Sequence, residues 1–143
     1  VSDQELAFDN EVFVFETVMR VRNTEIDAGQ HLTLESLTAL LTEARQRFLH
    51  SRSIKEIDAD YQGLLVNNLQ LSFNGRVRVR EELLFEVGVE RLSDNDGDIV
   101  IKVTRMHDGS LVARARLHFI NFDFRSNKVT ALNTTIKTAL ELR

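Results

Sequence analysis

Thr33-Leu34-Glu35-Ser36-Leu37-Thr38-Ala39-Leu40-Leu41-Thr42-Glu43-Ala44-Arg45-Gln46-Arg47-Phe48-Leu49-His50-Ser51 is the stretch on which the fold turns. Leu37, Leu40, Leu41, Ala44 and Phe48 recur at the three- and four-residue spacing that draws one apolar stripe along a helix. The spacing predicts a helix from about Thr33 to Ser51. Thr33 can cap its first turn, and Glu35 suits the positive end of the macrodipole. Arg45, Arg47 and His50 suit the negative end, so pattern, capping and charge agree.

On either side the period changes to two. Phe13, Phe15, Thr17, Met19 and Val21 share one parity against Glu16, Arg20 and Arg22, which predicts a half-buried strand over Phe13 to Val21. Beyond the helix four more alternating segments follow: Leu65/Leu69/Leu71/Phe73, Leu83/Phe85/Val87/Val89, Ile99/Ile101/Val103 and Leu111/Ala113/Ala115/Leu117/Phe119. They read as a meander. His107-Asp108-Gly109-Ser110 joins the last two as a hairpin, with Asp-Gly supplying positive φ. Asp94-Asn95-Asp96-Gly97-Asp98 resembles a calcium loop, but its glycine comes too early and Arg105 stands where a bidentate Glu belongs, so it reads as a plain turn. A short helix is expected over Ile54 to Ala59, and a closing helix from Thr134 to Arg143 on Ile136, Ala139 and Leu140. Each strand is apolar on one face, and a single long helix is available to cover those faces, so the sheet must curve round it. The order is that of a hotdog fold. It is α+β, with one curved antiparallel sheet of about five strands wrapped round a long central helix, a single domain over residues 1–143.

Composition narrows the function classes. A chain of 143 residues, 43% hydrophobic and 28% charged, is the size and make-up of one globular domain. A net charge of -4 argues against general nucleic-acid or anionic-membrane binding, which needs a basic surface. With no cysteine there is no thiolate nucleophile, disulfide or Cys-containing zinc site, and the spacing of His31, His50, His107 and His118 assembles no metal centre. Apolar runs such as Gly63-Leu64-Leu65-Val66 are far too short to cross a bilayer. Val1 to Glu5 carries no basic flank and apolar block of a signal peptide, so a cytoplasmic location is expected. Proline is absent and the glycines are dispersed, which leaves no linker, low-complexity tract or repeat.

Chemistry concentrates in Arg22-Asn23-Thr24-Glu25-Ile26-Asp27-Ala28-Gly29-Gln30-His31-Leu32-Thr33, between the first strand and the long helix. A carboxylate just before a helix offers a base or nucleophile beside free amides that can hold an oxyanion, a pairing suited to acyl transfer. Asp27 is equally an ordinary turn residue. Asp27 and His31, followed by Leu37, Leu40, Leu41 and Glu43-Ala44-Arg45-Gln46-Arg47-Phe48-Leu49, resemble the hotdog acyl-CoA thioesterases of the 4-hydroxybenzoyl-CoA thioesterase-like superfamily. Their pattern is acid-x-Asp, a turn, His, then a helix with Glu-Ala-Arg. Gln30-His31, Val66 to Phe73 with Asn68, and Gly109-Ser110-Leu111-Val112-Ala113 with Phe119 look most like the long-chain acyl-CoA thioesterase subgroup, and the likeness runs from about Val12 to Leu142. The resemblance implies hydrolysis of an acyl-CoA thioester without a cofactor, with Asp27 activating water or attacking the carbonyl, and active sites between paired protomers in a dimer or tetramer. The chain departs from the family where His-x-Asn-Asn becomes His31-Leu32-Thr33-Leu34, and where the Tyr and His that assist the aspartate in one subgroup fall on Asn23 and Leu34.

The remaining candidates carry two readings each. Glu43 is a second acid for the cleft, or half of an i,i+4 pair with Arg47. His31 orients the thioester or Asp27, or is a hydrogen-bonded structural histidine. Arg76, Arg78 and Arg80 alternate beyond the Phe73 strand, either as a cradle for coenzyme A phosphates or as a solvated edge that discourages strand pairing. Asn68 reaches a cleft or a subunit seam, while Arg114, Arg116 and His118 share the outward parity of the last long strand. Two functions stand: a thioesterase, and a non-catalytic module that binds acyl-CoA or a carrier-protein thioester. A hydratase needs an acid-histidine arrangement this sequence lacks.

Overall fold

The structure is a computed structural model that describes residues 6–55 and 57–141. The elements in chain order are β1 (Phe13–Arg20), α1 (Leu34–Ser51), β2 (Gln62–Phe73), β3 (Glu82–Leu92), β4 (Asp96–Arg105), β5 (Leu111–Asp123), β6 (Lys128–Val129) and α2 (Thr134–Glu141). Val1 to Glu5, Leu142 and Arg143 lie outside the described residues. Helix α1 begins as its sequence dictates: Thr33 Oγ1 accepts from the Ser36 amide at 3.1 Å. Leu37, Leu40, Leu41, Ala44, Phe48 and Leu49 form its buried face. The helix stops where Ser53 turns left-handed (φ 59°) and the Ile54 amide folds back onto the Leu49 carbonyl at 2.9 Å.

That stop also overturns the short helix expected over Ile54 to Ala59, whose described residues form bends and turns instead. Asp58 accepts from the Asp60 and Gln62 amides at 2.9 and 3.0 Å, so an Asx turn competes successfully with helix. In the β4–β5 loop only Gly109 takes positive φ (72°), and its amide reaches back to the Arg105 carbonyl at 2.8 Å. The hairpin is present, with a wider turn than an Asp-Gly pair alone would make.

The strands form one antiparallel sheet in the order β1-β3-β4-β5-β2, with β6 pairing the end of β5. This corrects the meander, which holds only for β3, β4 and β5. Strand β2 lies at the far edge beside β5, so residues 74–81 must pass β5 and β4 to reach β3. A bulge between Val66 and Asn68 reverses the parity of β2. Leu69, Leu71 and Phe73 therefore pair with the buried Leu117, Ala115 and Ala113, while Leu65, expected on their face, pairs with Ile120 on the other. The inward rows of all five long strands close on α1 in one core, with Phe48, Phe85, Phe119, Leu37, Leu41, Leu83 and Ile101 fully buried.

One glycine sets how closely the chain packs on β3. A Cβ at Gly88 would lie 2.0 Å from the Val12 carbonyl oxygen, which belongs to backbone and cannot rotate away. Gly88→Ala is expected to lower stability by about 1–3 kcal/mol through forced separation of the β1 start from β3, read as a lower denaturation midpoint with unchanged slope.

Candidate active site

The chain leaves β1 at Val21 and makes a single turn of tight helix, Asn23–Glu25, before Asp27. A second turn follows, closed by Asp27 N–H to the His31 carbonyl at 2.9 Å and Gln30 N–H to the Asp27 carbonyl at 3.0 Å. The Asp27 carboxylate organises it, since Oδ1 accepts from the Gly29 amide at 2.9 Å and the His31 amide at 3.1 Å. Among the described residues Oδ2 has no hydrogen-bonded partner. Gly29 fits because a Cβ there would sit 3.3 Å from Asp27 Oδ1 and 3.4 Å from His31 Nδ1. Gln30 takes the left-handed conformation (φ 64°), one of two strained non-glycine residues beside this turn. The other is Arg80 (φ 70°).

The crossing segment brings the arginines here. Leu32 N–H reaches the Val77 carbonyl at 2.7 Å, Val79 N–H reaches the Gln30 carbonyl at 3.2 Å, and an isolated antiparallel bridge pairs His31 with Arg78. Val77 is fully buried between exposed Arg76 and Arg78. Arg76 Nη2 lies 3.4 Å from His31 Nδ1, and its backbone carbonyl is held by Arg105 Nη2 at 2.7 Å. Arg80 is pinned through its backbone, N–H to the Val21 carbonyl at 2.8 Å. The amide of His31 acts most strongly, desolvation opposes it, and the Gly29 amide with the charges of His31 and Arg76 tips the balance, so the Asp27 carboxyl is held below its ordinary value. Asp27 is thus an anion at neutral pH.

Helix α1 follows from Leu34, with Thr33 as its N-cap. Thr33 takes the Ser36 amide with its hydroxyl and the Leu37 amide with its carbonyl, whereas the Leu34 and Glu35 amides find no acceptor among the described residues. These donors sit at the positive end of an 18-residue helix.

The structure therefore brings Asp27, His31, Arg76 and Arg78 together, holds Arg80 further along the same segment against Val21, and places Glu43 and Asn68 elsewhere. Glu43 pairs with Arg47 at 2.7 Å, the ion-pair alternative, and faces a cleft of about 550 Å³ between β1 and α1 that it shares with Glu25, Arg22, Met19 and Leu40. Asn68 lies on the outer face of the sheet in an open hollow with Gln70, Glu90, Asp98, Arg116 and His118. There Arg116 binds Glu90 at 2.7 Å and His118 Nδ1 binds Asp98 at 2.8 Å, so the outward row of β5 is a polar network. Glu25 and Arg22 also belong to this region, although neither is among the candidates their residue types suggest. Their three-residue spacing at the start of a turn, an acid returning to a backbone amide, was the available signal.

Residues 21–140 match the profile of the thioesterase-like superfamily. The chain is 24% identical over 127 residues to the long-chain acyl-CoA thioesterase FadM of Escherichia coli, covering 88% of this chain and 96% of that one. Among solved structures it superposes on a 1,4-dihydroxy-2-naphthoyl-CoA thioesterase from Synechocystis with a TM-score of 0.82 at 17% identity, covering 88% of this chain and 94% of that one. It also superposes on SAV2348 of Staphylococcus aureus, solved in complex with CoA, with a TM-score of 0.81 at 14% identity over 87% and 80% of the two chains. At such identities the structural likeness shows the shared curled sheet round a helix, which is the hotdog fold expected from the sequence.

Proposed function

The chain belongs to the thioesterase-like superfamily, and we propose that it hydrolyses the thioester of an acyl-CoA at the Asp27 turn. The observation that carries this is one carboxylate oxygen left open, among the described residues, on a hydrogen-bonded turn that leads into a helix whose Leu34 and Glu35 amides find no acceptor among those residues. In this reading Asp27 Oδ2 activates water or attacks the carbonyl carbon, and the Leu34 and Glu35 amides receive the negative charge that develops on the carbonyl oxygen. His31, half-buried and beside Arg76, orients the thioester. Arg76, Arg78 and Arg80 face solvent along one segment and bind the phosphates of coenzyme A, with the first two nearest the turn. Glu43 and Asn68 are not assigned a step, because the ion pair and the outer-face hollow account for them.

In one copy the Asp27 turn is open to water, and a thioester site needs a second wall. The proposed wall is another copy of the chain, paired through the free edge of β2. That edge strand spans 12 residues and leaves Leu65 and Leu69 39% and 38% exposed. A dimer or tetramer is expected in sedimentation, and Leu69→Glu is expected to shift it toward the 16.4 kDa monomer. A parent protein that sediments as a monomer at high concentration removes this part of the proposal. Among the described residues no helix is long and apolar enough to cross a membrane, and action in the cytoplasm is part of the same proposal.

The second reading is a module that binds acyl-CoA without turnover, favoured by Thr33 and Leu34 standing where the family carries amide side chains. Thiol release across short, long-chain and aromatic acyl-CoAs, run beside calorimetric binding of the same compounds, separates the two. Turnover of at least one supports the hydrolase, and binding without release supports the module.

A further inference from the structure

Glu25 is the only ionisable residue buried among the described residues, 7% exposed; the other buried polar residues there, Thr104 and Asn121, carry no charge. Placing a carboxylate there is costly unless every lone pair is answered. Here Oε1 accepts from the Arg22 amide at 2.7 Å, and Oε2 accepts from Arg22 Nη2 at 2.8 Å and Nε at 3.3 Å. The backbone of the same residue reaches the other way, since its carbonyl accepts from the amide of Thr33, the N-cap of α1, at 3.1 Å. Glu25 therefore ties the point where the chain leaves β1 to the point where α1 begins. Asp27 and its turn are the loop strung between those two ties.

An ion pair whose cation is largely exposed is weak evidence for stability, because solvent screens it. It does fix geometry. The guanidinium is directional, engages the carboxylate through two nitrogens, and is anchored to the exposed end of β1. Burial pushes the Glu25 carboxyl up, but the Arg22 side chain, the Arg22 amide and the Arg22 charge together pull it below its ordinary value, so the pair stays ionised.

We propose that Glu25, held by Arg22, is a positioning residue that sets the Asp27 turn against the start of α1. The inference rests on Asp27 as the reacting group for its meaning, but not for its test. The Asp27 carboxylate can be watched directly by following its carboxyl carbon through an NMR titration, together with the Gly29 and His31 amides that bond to it. Two variants serve. Glu25→Gln keeps the shape and one acceptor, and Arg22→Met removes the cation from a side chain that is 72% exposed.

In both, the amide signals of the sheet are expected to stay in place. The Gly29 and His31 amides are expected to move, and the Asp27 titration to shift up toward the ordinary aspartate value of 3.8 as its hydrogen bonds loosen. With an acyl-CoA that the parent hydrolyses, kcat is expected to fall about a hundredfold while KM stays within about twofold, as misplacement of a reacting group dictates. An Asp27 titration and amide shifts identical to the parent in either folded variant would overturn the proposal. Loss of the fold in both would do the same, since the pair would then serve the fold rather than the turn. If the parent hydrolyses no thioester and the Asp27 signals still move, the positioning role stands and the hydrolase falls.

Discussion

Phe48→Ala is expected to destabilise the protein by about 3–5 kcal/mol, close to the whole stability of many domains of this size. Phe48 is fully buried on the inward face of α1, with its ring 5.8 Å from that of Phe15 on β1 and the Arg52 guanidinium 5.4 Å from its centre. Truncation removes the transfer free energy of the ring and leaves a cavity between helix and sheet. The curled sheet cannot close that cavity, because Phe85, Phe119 and Ile101 are already fully packed in the same core. Leu34→Ala makes the control. Leu34 is also an apolar residue of α1, but it is 52% exposed, and its truncation is expected to change stability by no more than about 0.5 kcal/mol. Urea unfolding of the two variants beside the parent checks both values. A Phe48→Ala loss below about 1 kcal/mol would mean that α1 is not the centre of the core.

The features that were legible in the sequence are those fixed by neighbours along the chain. The α1 stripe, its Thr33 cap, the alternation of β3, β4 and β5, and the closing α2 all follow from local spacing, and the structure has them. Strand order was not legible. β2 and β3 are consecutive yet stand at opposite sides of β5 and β4, and no residue between Asn74 and Glu81 announces a segment that must cross the sheet. Val77, buried between two arginines, is the trace of that crossing, but alternation alone reads it as more strand. The bulge in β2 was hidden for a similar reason: Val66, Asn67 and Asn68 form ordinary extended backbone until partnered with β5.

The site divides the same way. Asp27 and His31 share one local turn, and the hydrogen bonds to the Asp27 carboxylate span at most four residues, so the sequence could point to them. Arg76 and Arg78 meet that turn only through the crossing segment, so the sequence places them just beyond the Phe73 strand, on a sheet face or edge, with no link to His31. Glu25 reads as a solvated acid in any composition argument, and its burial and its pairing with Arg22 appear only in the folded chain. Glu43 was placed on the correct helix, but its neighbour Arg47 and the β1 residue Thr17, 2.7 Å from Arg47 Nη1, draw that pair toward the cleft beside β1.

Asp27→Asn is expected to lower thioester hydrolysis by about 10²–10⁴-fold, the range associated with loss of a positioned acid or base. The substitution is unusually clean here. Asparagine keeps an oxygen for the Gly29 and His31 amides, so the turn and the start of α1 persist, and what disappears is the negative charge and the basic Oδ2. Because those amides hold the Asp27 carboxyl below 3.8, its activity is expected to persist as pH falls toward that value and to fade only below it. The decisive measurement is free thiol released from one acyl-CoA by the parent and by Asp27→Asn at equal concentration near neutral pH, with circular dichroism confirming that both are folded. Thiol accumulating with the parent and falling by at least about a hundredfold with the variant is the predicted result. Equal rates from the two proteins would contradict it.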